Sequence, residues 1–346
     1  MGPLRSPGTL LVATLAACGP IAYAATYTVT DLGTLGGNRS SAAAINARGD
    51  VVGWSTLAGD SAIHAFLYQS RHPRMIDVDP RGATVSSEAL AINDRGCIAG
   101  DIAVGGGALH PALFVRGRTI DLGTPMGLPS ASAVAINHAG DVLIQVLVGS
   151  AFSEGFLLHH GQTVALPIQS AFGLNDRRQA VGSVGPPVLQ RAVEVDGNTV
   201  TNPAEGFTAQ STVATAINAR GDVAGGYLVI GGSTGGAFLE RDGVLTDLGT
   251  LPGGGFAVAL ALNSHDQVVG YVFDIGPGVG EHAFLYDARL DPPMQDLNDL
   301  IPPDSGIVLI QATGINDHGS IVGIATVNGP FPPFHGFLLT PNPSSP

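Results

Sequence analysis

The chain has 346 residues, of which 45% are apolar and only 12% are charged, and its formal net charge is -13. All 15 basic residues are arginine. This acidic, lysine-free composition repels phosphate backbones and anionic headgroups, so we expect neither nucleic acid nor a bilayer surface as a partner. The apolar content is enough for a large core and excludes a disordered chain.

Residues 1–25 have the features of an export signal. Arg5 provides the positive end, residues 9–17 form a short apolar segment, and Ala22-Tyr23-Ala24 is an A-x-A cleavage pattern. The apolar segment is too short to remain as a transmembrane helix in the mature chain. We therefore expect a periplasmic or extracellular protein. One alternative stays open, because residues 15–18 resemble a lipobox in which Cys18 would carry a lipid anchor.

Residues 26–346 form one repeating domain. The pattern Ala-x-(Ala or Gly)-(Ile or Leu)-Asn occurs seven times, ending at Asn46, Asn93, Asn137, Asn175, Asn218, Asn263 and Asn316. Small residues at alternate positions predict a strand with one tiny face, which must pack closely against a neighbour. The Asn favours an Asx-turn, and the Gly found three residues later in most repeats supplies a positive φ. Only Arg178 and Asp266 replace that Gly.

Three further apolar segments follow the turn in each repeat. The third segment begins with His-Ala-Phe or a variant of it, most clearly at His64, His282 and His335. Seven third segments are followed by only six fourth segments, and the missing copy lies at the N-terminus, in residues 28–33. A chain that begins with the last strand of its last repeat is a closed ring.

These observations predict an all-β fold, a seven-bladed β-propeller of four-stranded antiparallel blades closed by the N-terminal strand. The Asn residues are 38 to 53 residues apart, which suits a four-stranded blade. A parallel β-helix is the rival fold. It would need shorter rungs, and it offers no reason for an N-terminal copy of the last strand.

The His-Ala-Phe triplets, the Asp-Leu-Gly-Thr-Leu-Gly-Gly stretch at residues 31–37 and the Ala-Ile-Asn-x-x-Gly turns together resemble the HAF-repeat family of exported bacterial proteins. The resemblance covers essentially the whole mature chain. It implies export and repetition, and it brings no established reaction, cofactor or ligand. Repeats three and four lack both the His and the Asp of the fourth segment. This departure argues against a binding role in which all seven repeats take part equally.

In a propeller, the loops between second and third strands share one face with the connections into each new blade, and ligands usually bind there. We predict long loops at 55–63, 101–109, 226–235, 271–281 and 324–334. The candidate ligand-binding residues on this face are His64, His110, Glu154, Tyr271, Asp274, Glu281, His282 and His335.

Two chemical interpretations of the recurring polar residues compete with a structural one. Grouped histidines are a common metal-binding residue type, but ligands from separate blades stand far apart, and we favour packing or capping roles. The recurring acids share only their residue type with the carboxylate pair of a glycosidase; they are Asp31, Asp77, Asp121, Asp247 and Asp296. Because they recur at one repeat position, we interpret them as turn caps. We expect no cofactor; calcium stays open without a specific motif.

Three functions remain open at this stage. The first is a non-catalytic, monomeric binding module for an unknown ligand, which would be a carbohydrate or an envelope protein. The second is a propeller glycoside hydrolase or lyase, which needs non-repeating acids or histidines that converge near the axis. The third is a structural envelope module without a small ligand. No established nucleophile, zinc or phosphate-binding motif is present in the sequence.

Overall fold

The computed structural model describes residues 26–343, except 83, 149–150, 187–188, 230–233, 275–279 and 328–332. The predicted signal segment 1–25, with Cys18 and the Ala24 cleavage site, lies outside the described residues. So does the side chain of Asp274.

Four-stranded sheets account for nearly all of the described residues. The first strand is β1 (Tyr27–Asp31), and blade I consists of β2 (Gly36–Ile45), β3 (Val51–Leu57), β4 (Ile63–Tyr68) and β5 (Met75–Asp77). Blade II has β6 (Ser87–Ile92), β7 (Ile98–Ala103), β8 (Leu109–Val115) and β9 (Arg118–Asp121). Blade III has β10 (Ser130–Ile136), β11 (Val142–Val148), β12 (Ala151–His159) and β13 (Gln162–Leu166).

The remaining blades repeat this order. Blade IV has β14 (Ser170–Leu174), β15 (Ala180–Val184), β16 (Arg191–Asp196) and β17 (Thr199–Thr201). Blade V has β18 (Ser211–Ile217), β19 (Val223–Leu228), β20 (Gly235–Arg241) and β21 (Val244–Gly249). Blade VI has β22 (Gly254–Leu262), β23 (Val268–Asp274), β24 (Glu281–Tyr286) and β25 (Met294–Asp296). Blade VII has β26 (Ile307–Ile315), β27 (Ile321–Val327) and β28 (Phe334–Pro341). Short 3-10 turns lie at Ala58–Asp60, Gly105–Gly107, Pro125–Gly127 and Leu297–Leu300.

Each of these seven sheets is antiparallel, and its strands pair in chain order from the innermost to the outermost. The predicted seven-bladed β-propeller is therefore confirmed. The predicted closure is confirmed too, because β1 is the outermost strand of blade VII. In this pairing Val29 lies opposite Leu339, and Asp31 lies opposite Phe337.

Small residues of the innermost strands form the contacts between blades, but the prediction that they share one face is wrong. A β-bulge between the two small positions turns them toward opposite neighbouring blades. The alanines four residues before each repeat Asn are at most 1% exposed; they are Ala42, Ala89, Ala133, Ala171, Ala214, Ala259 and Ala312. Two residues further on, a Cβ added to Gly314 would stand 3.5 Å from the Cα of Ala44 in the next blade. Larger side chains would separate the blades, so the small residues allow the strands to converge.

The turn after each innermost strand has the predicted geometry. Gly49 has φ of +81°, and the two residues that replace this Gly, Arg178 and Asp266, adopt +64° and +63°. The turn therefore requires a left-handed residue even where the sequence provides no Gly. The Asn46 side chain accepts a hydrogen bond from the Arg48 backbone N–H at 3.0 Å, which confirms the predicted Asx-turn.

The repeat Asn also has a role that spans blades. The Asn46 Nδ2 donates to the Asn93 backbone carbonyl at 3.3 Å, and Asn93 Nδ2 donates to the Asn137 carbonyl at 2.9 Å. The same bond joins every following pair of blades. Asn316 then donates to the Asn46 carbonyl at 3.1 Å and completes the circle. We call this closed set of seven bonds the asparagine ring.

Removing β1 should destabilise the propeller strongly. A chain that starts at Gly33 exposes the edge of β28 and loses the buried side chains of Tyr27 and Leu32. We expect its free energy of unfolding to fall by at least about 3 kcal/mol relative to a chain that starts at Thr26. Urea titration of the two chains measures the difference, and superimposable unfolding curves would contradict the role of β1 in closure.

Breaking the asparagine ring at one blade should lower the free energy of unfolding more than most substitutions of a single polar side chain do. In Asn316→Ala the bond to Asn46 disappears, and the backbone N–H groups of His318 and Ser320 lose the acceptor that now holds them at 3.0 Å. We expect a loss of about 2 to 4 kcal/mol, because three hydrogen bonds disappear and each contributes about 0.5 to 1.5 kcal/mol. Asn198→Ala, in an exposed hairpin turn, is the control and should stay within about 0.5 kcal/mol. Equal losses in both variants would show that the ring contributes nothing special.

Candidate functional site

The two faces of the propeller follow from the strand directions. The face with the second-to-third strand loops and the connections between blades is called the loop face. The face with the first-to-second and third-to-fourth strand turns is called the turn face. The asparagine ring lies at the turn-face end of the channel, because each innermost strand ends there.

The recurring His and Asp of the repeats bond to each other near the loop face. The His Nδ1 lies 2.8 Å from the carboxylate in His64–Asp77, 2.9 Å in His110–Asp121, 2.6 Å in His282–Asp296 and 2.9 Å in His335–Asp31. Each of these carboxylates also accepts a backbone N–H two residues later, as Asp31 does from Gly33 at 2.8 Å. The interpretation of the acids as turn caps is thus confirmed.

Blade V makes the same connection with a different residue. The Tyr227 hydroxyl donates to Asp247 at 2.9 Å, where the His position holds Gly236. Burial and then hydrogen bonding to Asp247 raise the pKa of Tyr227 to about 12. The pair is therefore part of the repeat scaffold in five blades, with a Tyr in place of His in one of them.

The histidines predicted as ligand-binding residues are not brought together. They lie on β4, β8, β24 and β28, in different blades, and each is occupied by its Asp. The His64 side chain is only 2% exposed, so it is not presented on the loop face. Among the described side chains, no group of three or more His, Cys, Asp or Glu is arranged to hold a metal ion.

The predicted loops are shorter in the structure than in the sequence-based prediction. Strand β23 extends to Asp274, so Tyr271 lies within a strand and its assignment to a loop is wrong. Glu281 begins β24, and Glu154 lies within β12. The pattern of turn residues marks where a loop is needed, but it does not show how far the flanking strands continue.

Tyr271 and Glu281 nevertheless belong to one cluster. Burial, and then the charge of Glu281, raises the pKa of Tyr271. The Glu281 carboxylate in turn accepts a hydrogen bond from the Gln311 side chain in blade VII. His282 instead lines a cleft beside β25 with Leu251, Val272 and Met294.

One level of the channel differs from blade to blade. It consists of the residue five positions before each repeat Asn and its partner on the second strand, and we call it the variable level. Its pairs are Ser41/Trp54, Glu88/Asp101, Ser132/Gln145, Ser170/Ser183, Val213/Gly226, Val258/Tyr271 and Gln311/Ile324. These pairs lie toward the loop face, about 15 Å along the strand from the asparagine ring.

The most unusual pair at this level is Glu88 with Asp101. Their strands are neighbours and the two residues are directly opposite, so their Cβ atoms are about 4.5 to 5.5 Å apart. Burial and then the charge of Asp101 raise the pKa of Glu88 to about 7. Burial raises the pKa of Asp101 to about 6, although a hydrogen bond from Ser132 of blade III opposes the shift. Near neutral pH the pair can therefore both donate and accept a proton.

The Glu88–Asp101 pair could not be predicted from the repeat pattern, because it does not recur. Glu88 and Asp101 occur once, at positions that hold Ser, Val or Gln and Trp, Gln, Ser, Gly, Tyr or Ile in the other blades. The signal in the sequence was that these two positions depart from the repeat pattern, since a position that the scaffold does not use is free to vary.

The opposite end of the channel offers less chemistry. A cavity of about 240 Å³ there is lined by the Ile or Leu before each repeat Asn, by the asparagine ring and by the residue that follows it. The Asn amides already donate around the ring. Asp94, Asp176 and Asp317 each accept a backbone N–H from the preceding blade, at 2.7 to 2.8 Å. These polar groups hold blades together.

The loop face carries most of the negative charge of the described residues. Its acids, placed by strand direction, are Asp31, Asp60, Asp77, Asp79, Glu88, Asp101, Asp121, Glu154, Glu205, Asp247, Glu281, Asp296, Asp299 and Asp304. Its arginines are Arg39, Arg81 and Arg191. Such a surface attracts cationic ligands and repels anionic ones.

The turn face is nearly balanced in charge. Its acids are Asp50, Asp94, Asp141, Asp176, Glu194, Asp196, Asp222, Glu240, Asp242, Asp266, Asp287, Asp291 and Asp317. Its arginines are Arg48, Arg71, Arg74, Arg95, Arg116, Arg118, Arg177, Arg178, Arg220, Arg241 and Arg289. The propeller is therefore electrically polar along its axis.

Across the described part of the chain, no helix is long and apolar enough to span a bilayer.

Comparison with known proteins supports the fold and goes no further. No protein-family model matches the sequence, and no curated protein matches it. Among solved structures, this chain is similar to an acylaminoacyl peptidase of Pyrococcus horikoshii, with 9% identity, a TM-score of 0.54, and coverage of 86% of this chain and 51% of that one. It is also similar to a puromycin-hydrolyzing peptidase of Mycobacterium tuberculosis, with 13% identity, a TM-score of 0.52, and coverage of 75% and 44%. TolB from Acinetobacter baumannii follows with 13% identity, a TM-score of 0.46, and coverage of 69% and 61%.

These likenesses are to propellers at low identity, and they show a shared fold only. The matched region is about half the length of the two peptidases. The site must therefore be argued from this chain's own residues.

The Glu88–Asp101 pair predicts a specific pH dependence of stability. Folding raises both pKa values above their ordinary values of 4.5 and 3.8, so protonation favours the folded state. The stabilisation is complete below about pH 4 and is lost as the pH rises through about 6 to 7. Glu88→Gln cannot ionise, so at pH 8 it should be more stable than the wild type by about 1 to 3 kcal/mol.

This advantage of Glu88→Gln should nearly disappear at pH 5. Urea titrations at several pH values measure it. The exposed loop-face variant Glu205→Gln is the matched control and should show no such trend. A Glu88→Gln effect that stays constant from pH 5 to 8 would show that the carboxyl titrates normally.

Proposed function

We propose that this protein is an exported, non-catalytic β-propeller binding module whose ligand enters the channel from the loop face. The observation that carries the proposal is the variable level. The polar residues that recur in the blades are bonded within the scaffold, whereas side chains such as Glu88, Asp101 and Tyr271 differ from blade to blade near the loop face. A ligand contacting that level would meet a different group on each blade.

The chemistry of this level favours a ligand with hydroxyl or amine groups, such as an oligosaccharide. Asp101 of blade II accepts a hydrogen bond from Ser132 of blade III. Trp54 and Glu88 occupy the equivalent positions of blades I and II, so the repeat directs Trp54 toward Glu88. An aromatic side chain beside a proton-sharing carboxyl pair suits a sugar ring with its hydroxyl groups. In blades VI and VII, Glu281 and Gln311 bond to each other and add a further carboxylate and amide at this end of the blades. The negative loop face excludes anionic ligands.

A glycoside hydrolase is the second candidate, and the Glu88–Asp101 pair favours it. Two carboxyl groups a few ångströms apart, with one holding a proton near neutral pH, are what a retaining mechanism uses as acid and nucleophile. Asp101 is only 6% exposed, however, which limits the approach of a substrate to the carboxylate that would attack it. Burial of this kind suits a binding role better.

We also propose that the chain belongs to the HAF-repeat family and is exported by cleavage after Ala24. Lipidation at Cys18 is the alternative route to the cell envelope. The mass of the mature protein distinguishes the two, because a lipidated chain would begin at Cys18 and carry acyl groups.

Ligand binding tests the proposed site directly. A glycan array of neutral and amine-bearing oligosaccharides should give at least one ligand for the purified wild-type protein. For that ligand, we expect Glu88→Gln and Glu281→Gln to weaken Kd by about tenfold each, the usual cost of a lost charged hydrogen bond of about 1.5 kcal/mol. Glu205→Gln, the exposed loop-face control, should leave Kd unchanged.

Three outcomes would redirect the interpretation. If incubation with the ligand releases product, and both Glu88→Gln and Asp101→Asn abolish the release, the hydrolase replaces the binding module. If the array and a hydrolase screen both show nothing, a structural envelope module is favoured. Binding that neither channel variant weakens would place the ligand elsewhere.

A further inference from the structure

The third-to-fourth strand turns of blades I and II form a second surface, on the turn face. Arg71 and Arg74 lie between β4 and β5, and Arg116 and Arg118 lie at the turn between β8 and β9. All four side chains are exposed, and the two blades are neighbours. We call these four arginines the basic rim.

The arginines of the basic rim differ from most others on the turn face because they have no partner. Arg220, Arg289 and Arg178 make ion pairs with Asp222, Asp287 and Asp141. Within the described residues, none of the four rim guanidinium groups forms an ion pair or a hydrogen bond.

The two turns of the rim contain no acid, and the acids nearer the axis are already bonded to other groups. The equivalent turns of blades IV, V and VI contain Asp196, Asp242 and Asp287, but residues 69–74 and 116–118 contain no acid. Closer to the axis, Asp50 binds Arg48 at 3.0 Å, and Asp94 accepts the Ala47 backbone N–H at 2.8 Å. The rim is therefore a local excess of positive charge on a protein whose net charge is -13.

The composition of these turns restricts the kind of partner. Among their described residues, no large apolar side chain is exposed, and neither turn contains a Phe, Trp or Tyr. The rim therefore offers no anchor for insertion into a bilayer, no platform for stacked bases and no apolar centre of the kind that dominates protein interfaces. What remains is recognition by charge, through guanidinium groups that bind carboxylates in pairs of hydrogen bonds.

We propose that the basic rim docks a linear acidic polysaccharide. A thin polyanionic chain can contact the two turns alone, whereas a planar anionic surface would also face the acids of the turn face. The negative loop face lies farther away than the Debye length of about 8 Å at physiological salt, so it opposes such a local contact weakly. The rim and the channel site are on opposite faces, and the inference does not depend on the function proposed for the channel.

Binding to immobilised alginate, a linear polyuronate, tests this inference on the full mature protein. The wild type should bind, and its affinity should fall as NaCl is raised from about 50 to about 200 mM, because counterions are released on binding. The double variant R116S/R118S should weaken Kd by about tenfold. The quadruple variant R71S/R74S/R116S/R118S should show no measurable binding.

The control is R39S/R191S, which removes the same charge from exposed positions on the loop face and should keep the wild-type Kd to within about twofold. Circular dichroism melting checks that every variant is folded. Three results would overturn the inference: no binding of the wild type to alginate, equal weakening in the rim and control doubles, or tighter rim-dependent binding to polyglutamate or to phosphatidylglycerol vesicles.

Discussion

The asparagine ring is the interaction on which the rest of this structure depends. Each of seven Asn side chains shapes its own turn through Oδ1 and reaches the backbone carbonyl of the next blade through Nδ2. One residue type thus sets both the local turn and the spacing between blades. Because the acceptor is a backbone atom, the bond forms whatever side chains the neighbouring blade carries. The seven blades can therefore differ in sequence and still close, provided the Asn and the small residues beside it remain.

The separation between recurring scaffold residues and residues that vary from blade to blade explains where function can arise. The alanines, the repeat Asn and the His–Asp pairs are buried or bonded, and changing them affects closure or capping. The variable level takes no part in that recurring set of bonds, and there the innermost strands carry Ser, Glu, Val or Gln. Some of its residues still join blades individually, as Gln145 does by bonding to the backbone of Gln169 and Ala171 in blade IV. A polar residue that recurs in every blade is therefore evidence for scaffold, and a polar residue that occurs in one blade is the stronger indication of a ligand.

Much of the fold could be predicted from the sequence because the governing restraints are local and repeated. Period-two alanines indicated the inner strand, and the N-terminal copy of the fourth strand indicated closure. The left-handed turn position was evident even though Arg178 and Asp266 replace Gly there. The Nδ2 bond from one Asn to the next blade could not be predicted, since it joins residues 38 to 53 positions apart, or 270 at the closure, and leaves no mark within a single repeat. The link between each recurring His and Asp was missed for a related reason: both residues were visible, but their pairing requires the register of two strands.

The electrical polarity of the molecule follows from the same separation of roles. On the turn face, arginines beside the repeat Asn, such as Arg48 and Arg220, bind acids of the turns and help to fix them, so their charges largely cancel. On the loop face, the recurring acids accept hydrogen bonds from backbone N–H groups and pair with His, which leaves their charge less compensated by arginine. Negative potential therefore accumulates on the side where the channel residues vary, as a by-product of how the strands are capped. A site at the variable level lies within that potential. The acid pair of blade II holds a proton near neutral pH for a more local reason, because burial and, for Glu88, the charge of Asp101 raise its pKa values.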